Sequence, residues 1–306
     1  MTDLKKTTGK IIKSVGGLFH VETNNGVIPC TAKGLFRLKE IAPCAGDNVV
    51  IETDNNCEPV ITEVLPRKNH IIRPPLANID AAVIVISTVE PSPNRLILDK
   101  LIAIFENKSI EPVLLFTKTD KKEEKDLIKI YQKAGFTVFS VSNESGEGLD
   151  SLRMYLQNGF DFNLTYALIG NTGVGKSSTL NSLFPELALE TAEISKKLGR
   201  GKHTTRQAEL FKCTNTKTTG GYIADTPGFS TVEAARYGKL DSAEAASCFR
   251  EFIPYIDKCK FTGCRHVKEE GCAVISAKEE GIISGSRFES YIRIYENARA
   301  EERNYK

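Results

Sequence analysis

The stretch G-N-T-G-V-G-K-S at residues 170–177 restricts this chain more than any other part of it. It matches the phosphate-loop pattern G-x-x-x-x-G-K-[ST] without a mismatch. An apolar, strand-like run precedes it at 166–169, and a helix-like run follows at 178–184. The glycines let backbone N–H groups wrap a phosphate chain, and the helix N-terminus adds a favourable dipole. On this reading Gly170, Asn171, Thr172, Gly173, Val174, Gly175, Lys176, Ser177 and Ser178 line a nucleotide site. Lys176 reaches the β- and γ-phosphates, which gives it a catalytic role, and Ser177 offers its hydroxyl to Mg²⁺.

At 306 residues the chain is long enough for two or three domains. Its 41% apolar and 26% charged content fits a soluble globular protein. The first ten residues hold no apolar core of a signal peptide, and the apolar run at 81–86 is far too short to span a bilayer. Eight cysteines without a secretory context point to a reducing cytoplasm, where they serve as core residues or metal ligands.

From residue 9 to 65 the chain reads as short β-branched strands at 10–13, 18–22, 27–30, 49–51 and 60–64, with Asn25-Gly26 as a hairpin turn. About five strands in so short a segment suggest a small barrel, with an OB-fold as the leading candidate. Such barrels often bind nucleic acid, and a plain spacer is the other reading. His20 and His70 read as ordinary residues rather than ligands. Residues 66–75, proline-bounded and basic, read as a linker. Beyond them strands at 81–86, 113–116 and 137–139 alternate with helical spacing at 96–106 and 122–133, the pattern of a parallel α/β sheet.

Strands of such a sheet present ligands at their carboxyl ends. Thr117-Lys118-Thr119-Asp120 follows one strand there and resembles the guanine-reading N-K-x-D of P-loop GTPases. In that motif the aspartate accepts from the guanine N1–H and 2-amino group, and the lysine stem packs on the base. Thr117 stands where asparagine is usual. Ser142 resembles the serine of a second base-side loop, from which Asn143 and Glu144 depart. Downstream, residues 196–206 carry five Lys/Arg and no acid, broken by glycines. They read as a first switch in which Thr204 or Thr205 touches Mg²⁺ and the γ-phosphate. Asp225-Thr226-Pro227-Gly228 then matches D-x-x-G. Its aspartate holds Mg²⁺ through water and its glycine N–H senses the γ-phosphate. Phe229 takes the place where many GTPases carry a water-orienting glutamine, so His203 is the best substitute and intrinsic turnover is expected to be slow.

The base motif precedes the phosphate loop, the reverse of the ordinary order, so the chain reads as circularly permuted. Old termini that lie close together permit such a rearrangement. After the D-x-x-G segment comes C-x4-C-x-H-x5-C, formed by Cys259, Cys264, His266 and Cys272. Three thiols and an imidazole fill the four positions of a closed, structural Zn²⁺ site. Residues 240–252 and 284–303 look helical around it. Arginines 287, 293, 299 and 303 put the last helix on a solvated or RNA-facing surface.

Together these motifs resemble the small-ribosomal-subunit-dependent, circularly permuted GTPases of bacteria, the RsgA (YjeQ/YloQ) family, over essentially the whole chain. The resemblance implies an OB-fold at 1–70, a permuted GTPase domain at 71–232 and a helical zinc domain at 233–306. It implies GTP hydrolysis stimulated by the small (30S) subunit during its late maturation, with contact to rRNA. GTP and GDP, that subunit and other assembly factors are the expected partners. The protein is expected to be cytoplasmic and monomeric, with no membrane partner. A P-loop ATPase or kinase, and a non-hydrolysing nucleotide-gated RNA-binding module, are the alternatives. Asp120 argues against the first; Lys176, Ser177 and Asp225 argue against the second.

Overall fold

The computed structural model describes residues 5–34, 36, 42–54, 57–187, 208–213, 220–226 and 237–304. Five strands come first: β1 (Lys5–Val15), β2 (Leu18–Thr23), β3 (Gly26–Ala32), β4 (Asn48–Asp54) and β5 (Cys57–Val64). They close into a barrel in the order β1-β2-β3-β5-β4. β1 is long enough, at 11 residues, to pair with β4 along its first half and β2 along its second. A register shift between Ile11 and Lys13 bends it. Alternation sends Ile11, Phe19, Val21, Cys30, Val49, Ile51 and Ile61 into the barrel core. The Asn25-Gly26 turn forms as expected, with the Thr23 hydroxyl donating to the Gly26 carbonyl at 2.8 Å.

Residues 66–75, expected as a linker, are an ordered part of the fold. β6 (His70–Ile71) pairs with β7 (Leu76–Ala77). Arg67 grips buried Asp47 through two nitrogens, at 2.6 and 2.8 Å. The Asn69 side chain bonds both the N–H and the carbonyl of Ile79. Proline and charge in the sequence marked the absence of long elements, and side-chain hydrogen bonding supplies the order instead.

The alternating segment follows: β8 (Ala81–Ser87), α1 (Arg95–Asn107), β9 (Glu111–Thr117), α2 (Lys125–Lys133), β10 (Thr137–Val141) and α3 (Leu149–Asp161). Every residue of β8 is buried, which explains its unbroken apolar sequence. β10 runs parallel to β9. Asn94 caps α1 by accepting from the Ile97 N–H. Next come β11 (Thr165–Ile169), α4 (Lys176–Leu183), β12 (Glu209–Lys212) and β13 (Tyr222–Asp225). β11 is parallel to β13, and β12 antiparallel to it.

The last segment corrects two expectations. Residues 240–252 hold short 3₁₀ turns at Ala246–Cys248 and Arg250–Phe252, not a helix. Three helices do form: α5 (Ile253–Ile256), α6 (Ala273–Glu279) and α7 (Gly285–Asn304). Pro254 falls in the first turn of α5, where its missing N–H costs nothing. Arg287 does not belong to a solvated face. It is 1% exposed, bonded to Asp99 at 2.6 Å and to Glu251 at 2.7 and 3.1 Å. A helix dense in both signs of charge reads as surface, and the carboxylates that bury this arginine lie far away in sequence.

By contact the chain forms two compact units. One comprises Met1–Ala81, Leu152–Ile169 and Lys176–Gly228; the other comprises Ala82–Ser151, Gly170–Gly175 and Phe229–Lys306. Among the described residues no helix is long and apolar enough to cross a membrane.

Candidate nucleotide site and metal cluster

Of the nucleotide-site residues expected from sequence, the second unit holds the base-side set together with the glycine loop. Gly170 lies so close to β8 that a methyl group on it would meet the Val85 carbonyl oxygen at 2.6 Å. Gly175 is required for another reason, a φ of +101°. A methyl group on it would stand 3.6 Å from Asn143 Nδ2 and 3.7 Å from Thr117 Oγ1, so these two side chains floor the loop. Thr117, wholly buried at the end of β9, donates its hydroxyl to the Val174 carbonyl at 2.6 Å. Lys118, at φ +59°, sends its ammonium to the carbonyls of Gly173 and Glu90, both at 2.9 Å. The threonine in place of asparagine therefore still fastens the base-side turn to the phosphate loop. Asp120 follows on the exposed side of that turn. The buried Ser142 hydroxyl accepts from the N–H groups of Glu144 and Ser145, so it shapes its own loop. Asn143 is the residue that sequence reasoning passed over; its departure from the familiar motif concealed its place beneath Gly175.

The chain enters the first unit at Lys176, the first residue of α4. Burial pushes the Lys176 ammonium down to about 8, against the pull of the Asp225 charge. Asp225 ends β13. Burial raises its carboxyl, Lys176 and a hydrogen bond with Ser177 hold it down, and the charge of Glu209 pushes it up again. Thr226, also buried, donates its hydroxyl to the Leu168 carbonyl and fixes the end of that strand. Asp225 Oδ1 is buried with no hydrogen-bond partner among the described residues. An orphaned carboxylate oxygen beside a serine hydroxyl suits a hard cation with oxygen ligands, so Mg²⁺ fits this pair. Lysine held well below its ordinary basicity suits an anion that would restore its charge. His203, Thr204, Thr205, Gly228 and Phe229, with the rest of residues 188–207 and 227–236, lie outside the described residues.

In the second unit Cys259, Cys264, His266 and Cys272 offer ligand atoms that all lie within 4.8 Å of one another. His266 Nδ1 is 3.5 Å from the Cys259 sulfur and 3.3 Å from that of Cys272, and the two sulfurs are 3.8 Å apart. A tetrahedral zinc site with bonds of about 2.3 Å to sulfur and 2.0 Å to nitrogen has edges of about 3.5–3.8 Å. The three edges among Cys259, His266 and Cys272 thus approach those of a zinc site, and the four donors are of the kind that zinc takes. His266 reaches it from a left-handed backbone, φ +55°. The Glu269 carboxylate holds that turn by accepting from the N–H groups of Arg265, Val267 and Lys268 at 2.8–3.0 Å.

Comparison with known proteins identifies the family. The family described as RsgA GTPase matches residues 64–235, and the RsgA N-terminal domain matches residues 8–61. The chain is 40% identical to the small ribosomal subunit biogenesis GTPase RsgA of Caldanaerobacter subterraneus, over 99% of this chain and 100% of that one. It is 42% identical to RsgA 2 of Oceanobacillus iheyensis, over 97% and 99%. Among solved structures it resembles YjeQ from Thermotoga maritima, with TM-score 0.75 and 30% identity over 96% of this chain and 99% of that one. It also resembles YloQ, described as a circularly permuted GTPase, with TM-score 0.73 and 32% identity over 97% and 96%. Matched by that family model over residues 64–235 and by relatives about 40% identical over nearly its whole length, the chain belongs to the RsgA GTPase family.

Proposed function

We propose that this protein is a GTPase of small ribosomal subunit biogenesis, hydrolysing GTP to GDP and phosphate and doing so faster on the subunit. The observation that carries the reading is the fastening of Thr117 and Lys118 to a phosphate loop that continues into buried Lys176. The loop cradles the phosphates with its N–H groups, Lys176 neutralises them, and Asp120 selects guanine by its two acceptor oxygens. Ser177 and Asp225, with Thr204 or Thr205, would hold Mg²⁺, which would supply charge neutralisation at the phosphates. His203 orients the attacking water and Gly228 senses the γ-phosphate. The four-ligand cluster binds one structural Zn²⁺. The subunit's rRNA, other assembly factors, a cytoplasmic site and a monomeric state complete the reading. Names of relatives that match nearly the whole chain support the subunit as partner.

Phosphate release should be measured with and without purified small subunits. The expected result is slow intrinsic turnover, on the order of 10⁻³ s⁻¹ or less, and strong acceleration by subunits. Co-sedimentation should be tighter with a non-hydrolysable GTP analogue than with GDP. Absence of acceleration overturns the subunit's role; equal affinity for GTP and ATP overturns guanine selection.

A further inference from the structure

Glu209 is a carboxylate for which the reading above has no use. It opens β12 and is the register partner of Asp225 on β13. Directly paired residues of antiparallel strands project from the same face, with Cβ atoms about 4.5–5.5 Å apart. A second negative charge therefore flanks the carboxylate read as a magnesium ligand. Among the described residues a cation meets it: Lys13 of the barrel, 2.8 Å away across 196 residues of sequence. Lys13 follows the register shift of β1, which re-aims its side chain. The contact is not isolated. Glu22 of β2 bonds Lys212 of β12 at 2.8 Å and the Tyr222 hydroxyl of β13, and Lys10 lies 4.6 Å over the Tyr222 ring. The barrel wall thus holds the strand pair that ends in Asp225 at three points.

We propose that Glu209 is a positioning residue for the magnesium-bound nucleotide, and that Lys13 of the barrel sets how much of its charge the site feels. With Lys13 in place, Glu209 is largely neutralised. Without Lys13, an uncompensated carboxylate flanks Asp225, which attracts a divalent cation and repels bare phosphates. Both side chains remain partly open to solvent, so a phosphate-bearing partner on the barrel can draw Lys13 away and change the site without touching the nucleotide. This rests on the assignment of Ser177 and Asp225 to Mg²⁺.

GDP affinity in Mg²⁺ and in EDTA, by equilibrium fluorescence titration of the full-length protein, tests it. The ratio of the two dissociation constants is the magnesium gain. Lys13→Met should raise that gain and Glu209→Gln lower it, each on the order of 3- to 10-fold for a charge at this separation in a half-exposed site. Lys13→Met should also raise the gain in the Glu209→Gln background, because the two charges act on the site additively. The exchange Lys13→Glu with Glu209→Lys separates field from scaffold. A pair that only braces the fold is rescued by the exchange, and that result overturns the proposal. A charge acting on the site is not rescued, and the gain falls below that of Glu209→Gln. Single variants that leave the gain unchanged also overturn it. A parent protein indifferent to Mg²⁺ overturns the magnesium assignment itself, and this proposal with it.

Discussion

Thr117 decides how the base-side turn is held. Its hydroxyl is the buried donor to Val174. Thr117→Val keeps the shape and removes the bond. GDP affinity should then fall by about 1–2 kcal/mol, roughly 5- to 30-fold. Thr117→Ser keeps the donor and should stay close to the parent; isothermal titration reads both. Gly170 makes a second case. Gly170→Ala places its methyl group against the Val85 carbonyl at 2.6 Å, a contact that only backbone movement relieves. GDP binding should drop at least as far as in Thr117→Val. The motif letters announced a glycine at each position but not which constraint it answers. Close approach at one and positive φ at the other become visible only once β8 and β9 are neighbours of the loop.

Helix α7 is fastened to α1 and α2 by one buried cation. Arg287 Nη1 donates to Asp99, whose Oδ1 also accepts from the Tyr131 hydroxyl at 2.8 Å. The guanidinium lies 4.5 Å over the Phe249 ring. Removing one member of such a group leaves a buried charge unpaired, at a cost of about 3–5 kcal/mol. Arg287→Met should therefore lower the urea midpoint markedly, and adding Asp99→Leu should recover part of the loss. A second element-level prediction concerns the turn that carries His266. Glu269→Ala frees three N–H groups that its carboxylate now holds, so zinc retention against a chelator should weaken about 10- to 100-fold. Sequence spacing singled out the four residues that the fold brings together, because their donor types are those a tetrahedral zinc site takes. It could not disclose Glu269 or Arg287, since any charged side chain on a surface would have read the same way.

The metal cluster and the guanine-side turn belong to one compact unit. Arg250 bonds Glu106 of α1 and Glu111 of β9, and β9 ends in Thr117. Phe249, Phe252 and Tyr291 share a core with Ala103 of α1. Zinc removal should therefore lower the thermal midpoint and also weaken GDP binding a few-fold, with both restored by adding zinc back. Loss of metal with unchanged GDP affinity would show that the cluster serves only its own neighbourhood. The barrel, the alternating sheet segment and the phosphate loop were readable from strand periodicity and motif order. The division into units was not, because it follows contacts between residues more than a hundred positions apart. That division bears on how the protein is made. Synthesis delivers Asp99 long before Arg287, its partner 188 residues later, and β9 well before Arg250. A ribosome that stops short of α7 releases a chain in which Asp99 and Glu251 lack the guanidinium that pairs them. This unit is therefore expected to finish folding only after α7 has been synthesised, and a chain truncated before Gly285 should be cut faster by added protease than the full-length protein.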